Sequence, residues 1–149
     1  MIRLSLSQGY VVRQCSSLGA VFADSPFKGG YDLTIGTSEL GKDVDQLTAE
    51  AAAAAASGKN AERMLHPTKK APKHVLIVFG GVRGLEFALE NDQELDVDDA
   101  SLLFHHYVNT CVGQGSRTIR TEEAILVSLC ALRPFVRTVT ATAAADGGK

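Results

Sequence analysis

The sequence lacks a strong excess of charge of either sign, and it lacks any long apolar run. Its 149 residues carry 15 Lys and Arg against 17 Asp and Glu, which gives a formal net charge of -2. This balance argues against a chain that binds nucleic acid through overall charge, so any RNA contact must use a local patch or another part of a larger protein. No apolar run reaches about 18 residues, so we expect no membrane span. The segment 1–10 also lacks the zones of a signal peptide.

Cysteine is scarce, and neither cysteine nor histidine follows a metal-binding pattern. Cys15, Cys111 and Cys130 are odd in number, widely spaced and without a CxxC pair. This favours reduced thiols in an intracellular compartment, nucleus or cytoplasm, over a disulfide framework. His105 and His106 are adjacent, so on a strand they would face opposite sides. We therefore expect packing or surface roles for the histidines and no bound metal.

Strand patterns followed by glycine-bearing loops and helices predict an α/β domain with a mostly parallel sheet. The segment 31–35 alternates polar and apolar residues after Tyr31, which predicts a strand ending at Gly36. The segment His74–Phe79 is apolar without alternation, as expected for a parallel strand covered on both faces. A short helix is predicted over Gly84–Leu89.

One further helix is predicted near the C-terminus, and two other segments are expected to lie outside the packed domain. Ile125, Leu129 and Leu132 lie on one helical face, and Pro134 is expected to end that helix. The stretch 42–72 is alanine-rich and has almost no large apolar residue, so we interpret it as a surface insertion, partly helical or disordered. We place the domain at residues 1–137 and expect the small, polar tail 138–149 to be disordered.

Three loops are candidates for a ligand site: Gly36–Glu39, Phe79–Gly81 and Asn109–Thr118. The first two follow predicted strands, and ligands of open parallel sheets bind at the carboxyl ends of strands. Gly80 and Gly81 would let a ligand approach the backbone closely. Taken alone, each glycine is better explained as a turn requirement. A generic nucleotide-binding module also stays open, although the pattern matches neither the Walker lysine signature nor GxGxxG.

Three segments of the sequence carry a more specific signal. Tyr31–Glu39 (YDLTIGTSE), Val78–Glu86 (VFGGVRGLE) and Asn109–Ala124 (NTCVGQGSRTIRTEEA) occur in this order. Together they closely resemble SPOUT-superfamily RNA methyltransferases, in the archaeal and eukaryotic branch that includes a human spindle-associated member. The resemblance runs from about Gly9 to about Arg133. It implies a C-terminal trefoil knot, which is a rare exception to unthreaded chain topology, and S-adenosylmethionine-dependent methyl transfer to RNA by a homodimer.

The resemblance also implies which residues bind the cofactor and the RNA. The cofactor-binding residues are expected to be Gly80, Gly81, Asn109, Thr110, Gly115, Ser116, Thr118 and Ile119. Arg117 and Arg120 are expected to contact RNA phosphate or the dimer partner. Methyl transfer to a protonated nitrogen or a hydroxyl needs a base. Glu39 and Glu86 are the carboxylates nearest the expected site, but the sequence assigns the catalytic role to neither.

The chain departs from the family pattern at several points. Leu40 stands where family members usually carry arginine, Val112 where they carry proline, and His105 where aspartate is common. Family chains also begin with a strand, a helix and an inserted barrel-like domain, which are not visible before Gly9. We therefore expect this chain to correspond to the C-terminal half of the family domain. An inactive knot that binds cofactor or RNA as a scaffold is the alternative function.

Overall fold

The computed structural model describes residues 10–57 and 72–141. The described elements, in chain order, are helix α1 (Leu18–Ala23), strand β1 (Leu33–Asp43), helix α2 (Val44–Ser57), strand β2 (Val75–Phe79), helix α3 (Gly84–Glu90), a 3₁₀ turn (Ala100–Leu103), strand β3 (His106–Asn109) and helix α4 (Thr121–Ala141). The expectations for residues 1–9, for 58–71 of the insertion and for 142–149 of the tail fall outside the described residues.

The three strands form a parallel sheet in which β1 lies between β2 and β3. Leu33 is paired with Val75, and Ile35 is paired with His106. The α/β class and the parallel sheet predicted from the sequence are therefore confirmed. All three strands point the same way, so their carboxyl ends meet at one edge of the sheet.

Apolar side chains cover the sheet on both faces, which explains why β2 reads as continuously apolar. On one face the sheet packs against α2 and α4, around the buried side chains Leu33, Ile35, Val44, Leu47, Ala51, Val108, Leu132, Phe135 and Val139. On the other face it packs against α1, α3 and the 3₁₀ turn, around Leu18, Val78, Leu85, Leu89, Ala100 and Phe104. The domain therefore has helix, sheet and helix layers.

Helix α2 forms the described part of the stretch 42–72, which the sequence predicts to be a surface insertion, partly helical or disordered. Val44, Leu47 and Ala51 follow one another at spacings of three and four and are buried against α4. This apolar face is narrow, since only these three residues of α2 are buried. A helix needs only such a stripe to dock, even where its composition is dominated by small residues.

Helix α4 continues beyond Pro134 and corrects the expected helix end. The helix runs to Ala141, and both Phe135 and Val139 are fully buried beneath the last turns. Proline inside a helix removes one backbone hydrogen bond and crowds the preceding turn. Pro134 lies on the exposed face of α4, where water can hydrate the backbone carbonyl that loses its hydrogen bond. Burial of Phe135 and Val139 offsets the free energy lost with that bond. The first residues of the expected tail are therefore part of the core.

Truncation of Leu47 tests whether α2 stabilises the domain. Leu47 is 3% exposed, so Leu47→Ala should lower the free energy of unfolding by about 2–4 kcal/mol through lost burial and an incompletely filled cavity. Gln46→Ala on the exposed face of the same helix is the matched control and should change it by less than about 0.5 kcal/mol. Urea denaturation measures both. Equal, small effects would mean that α2 does not dock.

A histidine side chain joins β1 to the segment that precedes β3. The backbone N–H of Thr34 donates to Nδ1 of His105 at 2.9 Å, and the backbone N–H of His105 donates to the carbonyl of Thr34 at 3.1 Å. Nδ1 must be unprotonated to accept a backbone N–H. Burial lowers the pKa of His105 from its usual value. His105 therefore acts as a neutral acceptor at the start of the β1–β3 pairing.

The lowered pKa predicts that acid weakens the fold through His105. Below about pH 6.5 the unfolded chain binds a proton at this histidine more readily than the folded chain, so stability present at higher pH is lost as the pH falls. His105→Asn offers an acceptor without titrating, and its stability should fall less. Urea denaturation at about pH 7.5 and about pH 5.5 compares the two proteins. An equal loss in both would exclude His105 as the source.

Candidate functional site

A cavity of about 640 Å³ lies where the three parallel strands end. Three segments that follow or interrupt the strands line it: the β1 loop (Ser38–Gly41), the β2 loop (Gly80–Arg83) and the β3 loop (Thr110–Arg120). The first turns of α4 complete the wall. Binding sites for small molecules and cofactors fall in this size range, so the loops singled out in the sequence do assemble around one space.

The structure brings most of the expected binding residues to this cavity. Its lining includes Gly80, Gly81, Asn109, Thr110, Ser116, Arg117, Thr118 and Ile119, together with both candidate carboxylates, Glu39 and Glu86. Gly115 and Arg120 are not part of the lining, although both neighbour residues that are. Arg83 and Ser128 line the cavity as well, although sequence reasoning did not place them there, and Ser38 belongs to the candidate loop Gly36–Glu39 without an assigned role.

Ser128 fastens the β3 loop to α4. Its side chain is 1% exposed, and its hydroxyl is hydrogen-bonded to that of Thr110 with the two oxygens 2.6 Å apart. The sequence carried a signal for this role, because Ser128 precedes the buried Leu132 by four residues and so shares its helical face. A serine on a buried helix face needs a partner, and the loop supplies one.

Asn109 joins two of the loops through its side-chain amide. Its Nδ2 donates to the carbonyl of Glu39 at 3.1 Å, and its Oδ1 accepts from the backbone N–H of Cys111 at 2.9 Å. The side chain therefore fixes the β1 loop and the start of the β3 loop relative to each other. Its oxygen is already engaged, so its contribution to a ligand would come through the remaining N–H or through loop geometry.

The two carboxylates of the site lie in different surroundings. Glu86 is half-buried and accepts hydrogen bonds from the hydroxyls of Ser38 and Tyr107. Burial acts to raise the pKa of Glu86, but these bonds and one from its own backbone N–H prevail and lower it. Burial, together with the hydrogen bond to Glu86, raises the pKa of Tyr107. Glu39 is exposed, and within the described chain its carboxylate has no hydrogen-bond or ion-pair partner.

Two arginines bring positive charge to the cavity. The guanidinium of Arg83 stacks over the ring of Phe87 at 3.7 Å from the ring centre, an arrangement that holds the side chain while leaving its N–H groups available. Arg117 lies on the exposed β3 loop. In residues 10–57 and 72–141 neither arginine forms an ion pair. The cavity wall therefore offers both carboxylates and guanidinium groups.

The adjacent glycines of the β2 loop have different structural roles. A Cβ at Gly80 would lie 2.4 Å from the backbone carbon of Gly84, so Gly80 is required by the close approach of the loop to the start of α3. A Cβ at Gly81 would meet no atom within 4 Å. The fold therefore requires glycine at position 80. At position 81 no packing contact requires it, and the space beside the backbone is open.

The two glycines predict opposite outcomes for the same substitution. Gly80→Ala should lower the free energy of unfolding by about 1–3 kcal/mol, because the loop must move away from α3. Gly81→Ala is the matched variant and should change it by less than about 0.5 kcal/mol. Thermal or urea unfolding of the two proteins distinguishes them. A Gly80→Ala protein as stable as the wild type would contradict the close approach.

No group of three or more His, Cys, Asp or Glu side chains among residues 10–57 and 72–141 is placed to hold a metal ion. In that part of the chain, no helix combines the length and apolar character needed to cross a membrane.

Comparison with known proteins identifies relatives that are named as RNA methyltransferases. Residues 3–132 match the family described as "Putative RNA methyltransferase". The chain is 52% identical over 132 residues to a human 28S rRNA (uridine-N(3))-methyltransferase, 50% identical over 132 residues to that of Mus musculus, and 46% identical over 126 residues to that of Drosophila melanogaster. These matches cover 89%, 89% and 84% of this chain but only 30%, 29% and 22% of the relatives. The chain spans about three tenths of the length of its mammalian relatives, and it belongs to this RNA methyltransferase family.

Proposed function

We propose that this chain forms the cofactor-binding part of an enzyme that transfers a methyl group from S-adenosylmethionine to RNA. The observation that carries the proposal is the cavity at the ends of the three parallel strands, because its walls are the same loops that carry the family pattern. The three relatives are named as methyltransferases of uridine N3 in 28S rRNA. We therefore take uridine N3 in ribosomal RNA as the proposed acceptor.

The residues of the cavity fit S-adenosylmethionine in size and chemistry. The volume of about 640 Å³ suits a ligand of this size. Loop backbone around Gly81 and Ile119 can hydrogen-bond a flat heterocycle, and the carboxylates of Glu39 and Glu86 suit a ligand with cationic groups. The residues that would hold the cofactor are Gly80, Gly81, Asn109, Thr110, Ser116, Thr118 and Ile119. When bound, the cofactor supplies an electrophilic methyl group on a positively charged sulfonium.

The side chains of the cavity would orient the RNA and remove its proton. Uridine N3 carries a hydrogen that must leave when the nitrogen is methylated, so the reaction needs a proton acceptor. Glu39 is the better candidate because its carboxylate has no partner in the described chain, whereas that of Glu86 is held by Ser38 and Tyr107. Arg117 in the cavity wall, with Arg120 nearby, would bind RNA phosphate through charge-assisted hydrogen bonds.

A non-catalytic scaffold that binds cofactor or RNA is the second candidate function. It is favoured by Leu40, which is 75% exposed on the β1 loop and which stands where the resemblance leads us to expect an arginine. An apolar side chain at this position cannot donate hydrogen bonds to a ligand. Binding of the cofactor without transfer of its methyl group would support this alternative.

The trefoil knot and the homodimer are further proposals that follow from the resemblance. Exposed apolar side chains support an association surface: Leu126 and Val127 on α4 are 67% and 39% exposed, and Val112 on the β3 loop is 56% exposed. Val112 and Val127 also line a second cavity of about 450 Å³ beside the β3 loop. Sizing of the purified chain should give a dimer, and a monomer at all concentrations would refute this proposal.

The proposed function is tested by binding and transfer with one matched pair of variants. Titration calorimetry should show binding of S-adenosylmethionine and its demethylated product, and labelled methyl should reach uridine-containing ribosomal RNA fragments. Glu39→Gln should lower the transfer rate by about 10²-fold, as expected for loss of a general base, which is a larger factor than the accompanying loss of cofactor affinity. Glu90→Gln on the exposed end of α3 is the control. A folded wild-type chain that binds neither compound would refute the proposal.

A further inference from the structure

The β1 loop leaves the sheet between two points that are fixed on the same partner residue. Thr37 and Lys42 are both paired with Val108 of β3, so the four residues between them stand out from the ladder. At the end of the loop, Gly41 returns so close to β3 that a Cβ would lie 2.4 Å from the backbone of Val108. Ser38 and Glu39 line the cavity. The conformation of this short loop therefore shapes one wall of the site.

The β1 loop is exposed and makes little apolar contact, so its conformation depends on hydrogen bonds. The hydroxyl of Ser38 accepts the backbone N–H of Leu40 at 3.1 Å and donates to Oε1 of Glu86. The carbonyl of Glu39 is held separately by Asn109. Ser38 thus links the turn of the loop to a carboxylate on α3, which is a different element of the fold.

Glu86 receives two hydroxyls on one oxygen. Tyr107 of β3 donates to the same Oε1 at 2.8 Å. An ionised carboxylate only accepts hydrogen bonds, and bonds to a charged acceptor are stronger than those between neutral groups. The lowered pKa of Glu86 keeps this acceptor charged at neutral pH. A half-buried charge is costly unless it is paired or hydrogen-bonded, and here the hydroxyls of two strands compensate it.

We propose that Glu86 is a positioning residue that, through Ser38, holds the β1 loop in the conformation able to bind the methyl donor. The proposal rests on the proposed function for its ligand and deepens it by naming a residue that acts through another. Tyr107 anchors the carboxylate from the sheet side, and Ser38 transmits its position to the loop. Removal of either Glu86 or the Ser38 hydroxyl should loosen the loop, whereas removal of the Tyr107 hydroxyl leaves the Ser38 branch intact.

Four variants test the proposal: Glu86→Ala, Glu86→Gln, Ser38→Ala and Tyr107→Phe, with Glu90→Ala as the control on the same helix. Amide order parameters from NMR relaxation report loop motion without any ligand, with about 0.85 for rigid backbone and below about 0.6 for flexible backbone. Titration calorimetry with S-adenosylmethionine reports affinity.

In Glu86→Ala and Ser38→Ala we expect the order parameters of the β1 loop to fall below about 0.6 and the Kd to rise at least about tenfold, a difference of about 1.4 kcal/mol. Their melting temperatures should stay near that of Glu90→Ala. Glu86→Gln, which keeps an acceptor oxygen, should restore part of both losses. Tyr107→Phe should keep the rigid loop and stay within about threefold of the wild-type Kd.

The outcomes distinguish this proposal from the proposed function. A Ser38→Ala protein with a rigid loop and wild-type affinity overturns the positioning role, and it decides the matter even when Glu86→Ala fails to fold. Equal loss of affinity in Tyr107→Phe and Ser38→Ala overturns the transmission through Ser38. If the wild-type chain does not bind S-adenosylmethionine, the proposed function and the link to the donor both fail, while the order parameters still show whether Glu86 holds the loop.

Discussion

Parallel pairing of β1 with a strand on each side is the constraint on which the candidate site depends. A central strand buried on both faces fixes the direction of its neighbours, and the loops after β2 and β3 then emerge at the same edge. Leu33 and Ile35 at the centre are fully buried, so a slip in register would move them out of the core. Their packing therefore sets where the three loops meet.

Hydrogen bonds of polar side chains fix the loops that the packed core brings together. Glu86, Asn109 and Ser128 each connect a loop of the cavity to a different element, namely α3, the end of β3 and α4. The loops themselves are largely exposed and contribute few apolar contacts, so these bonds carry much of their order. Within the described residues no buried side-chain oxygen or nitrogen lacks a partner. Such fully satisfied networks specify one conformation better than a partly satisfied one would.

Positive charge is concentrated locally at the cavity, although the chain as a whole carries almost balanced charge. A net charge of -2 supplies no general attraction to phosphate, whereas Arg83 and Arg117 place positive groups locally at the cavity. The chain spans about three tenths of the length of its mammalian relatives. Local arginines of this kind are suited to bind an anionic group at the site.

The sequence by itself determined the α/β class, the apolar strand β2, the family and the three loops, because these depend on the local pattern and identity of the residues. Only the tertiary structure decided the rest. In the structure α2 docks on the sheet and α4 continues past Pro134. The free energy gained by burying Leu47, Phe135 and Val139 is larger than the local cost of an alanine-rich composition or of one proline. The tertiary structure also separated Glu86 from Glu39. Two similar carboxylates acquire different roles only when distant hydroxyls, those of Ser38 and Tyr107, come within hydrogen-bonding distance of one of them.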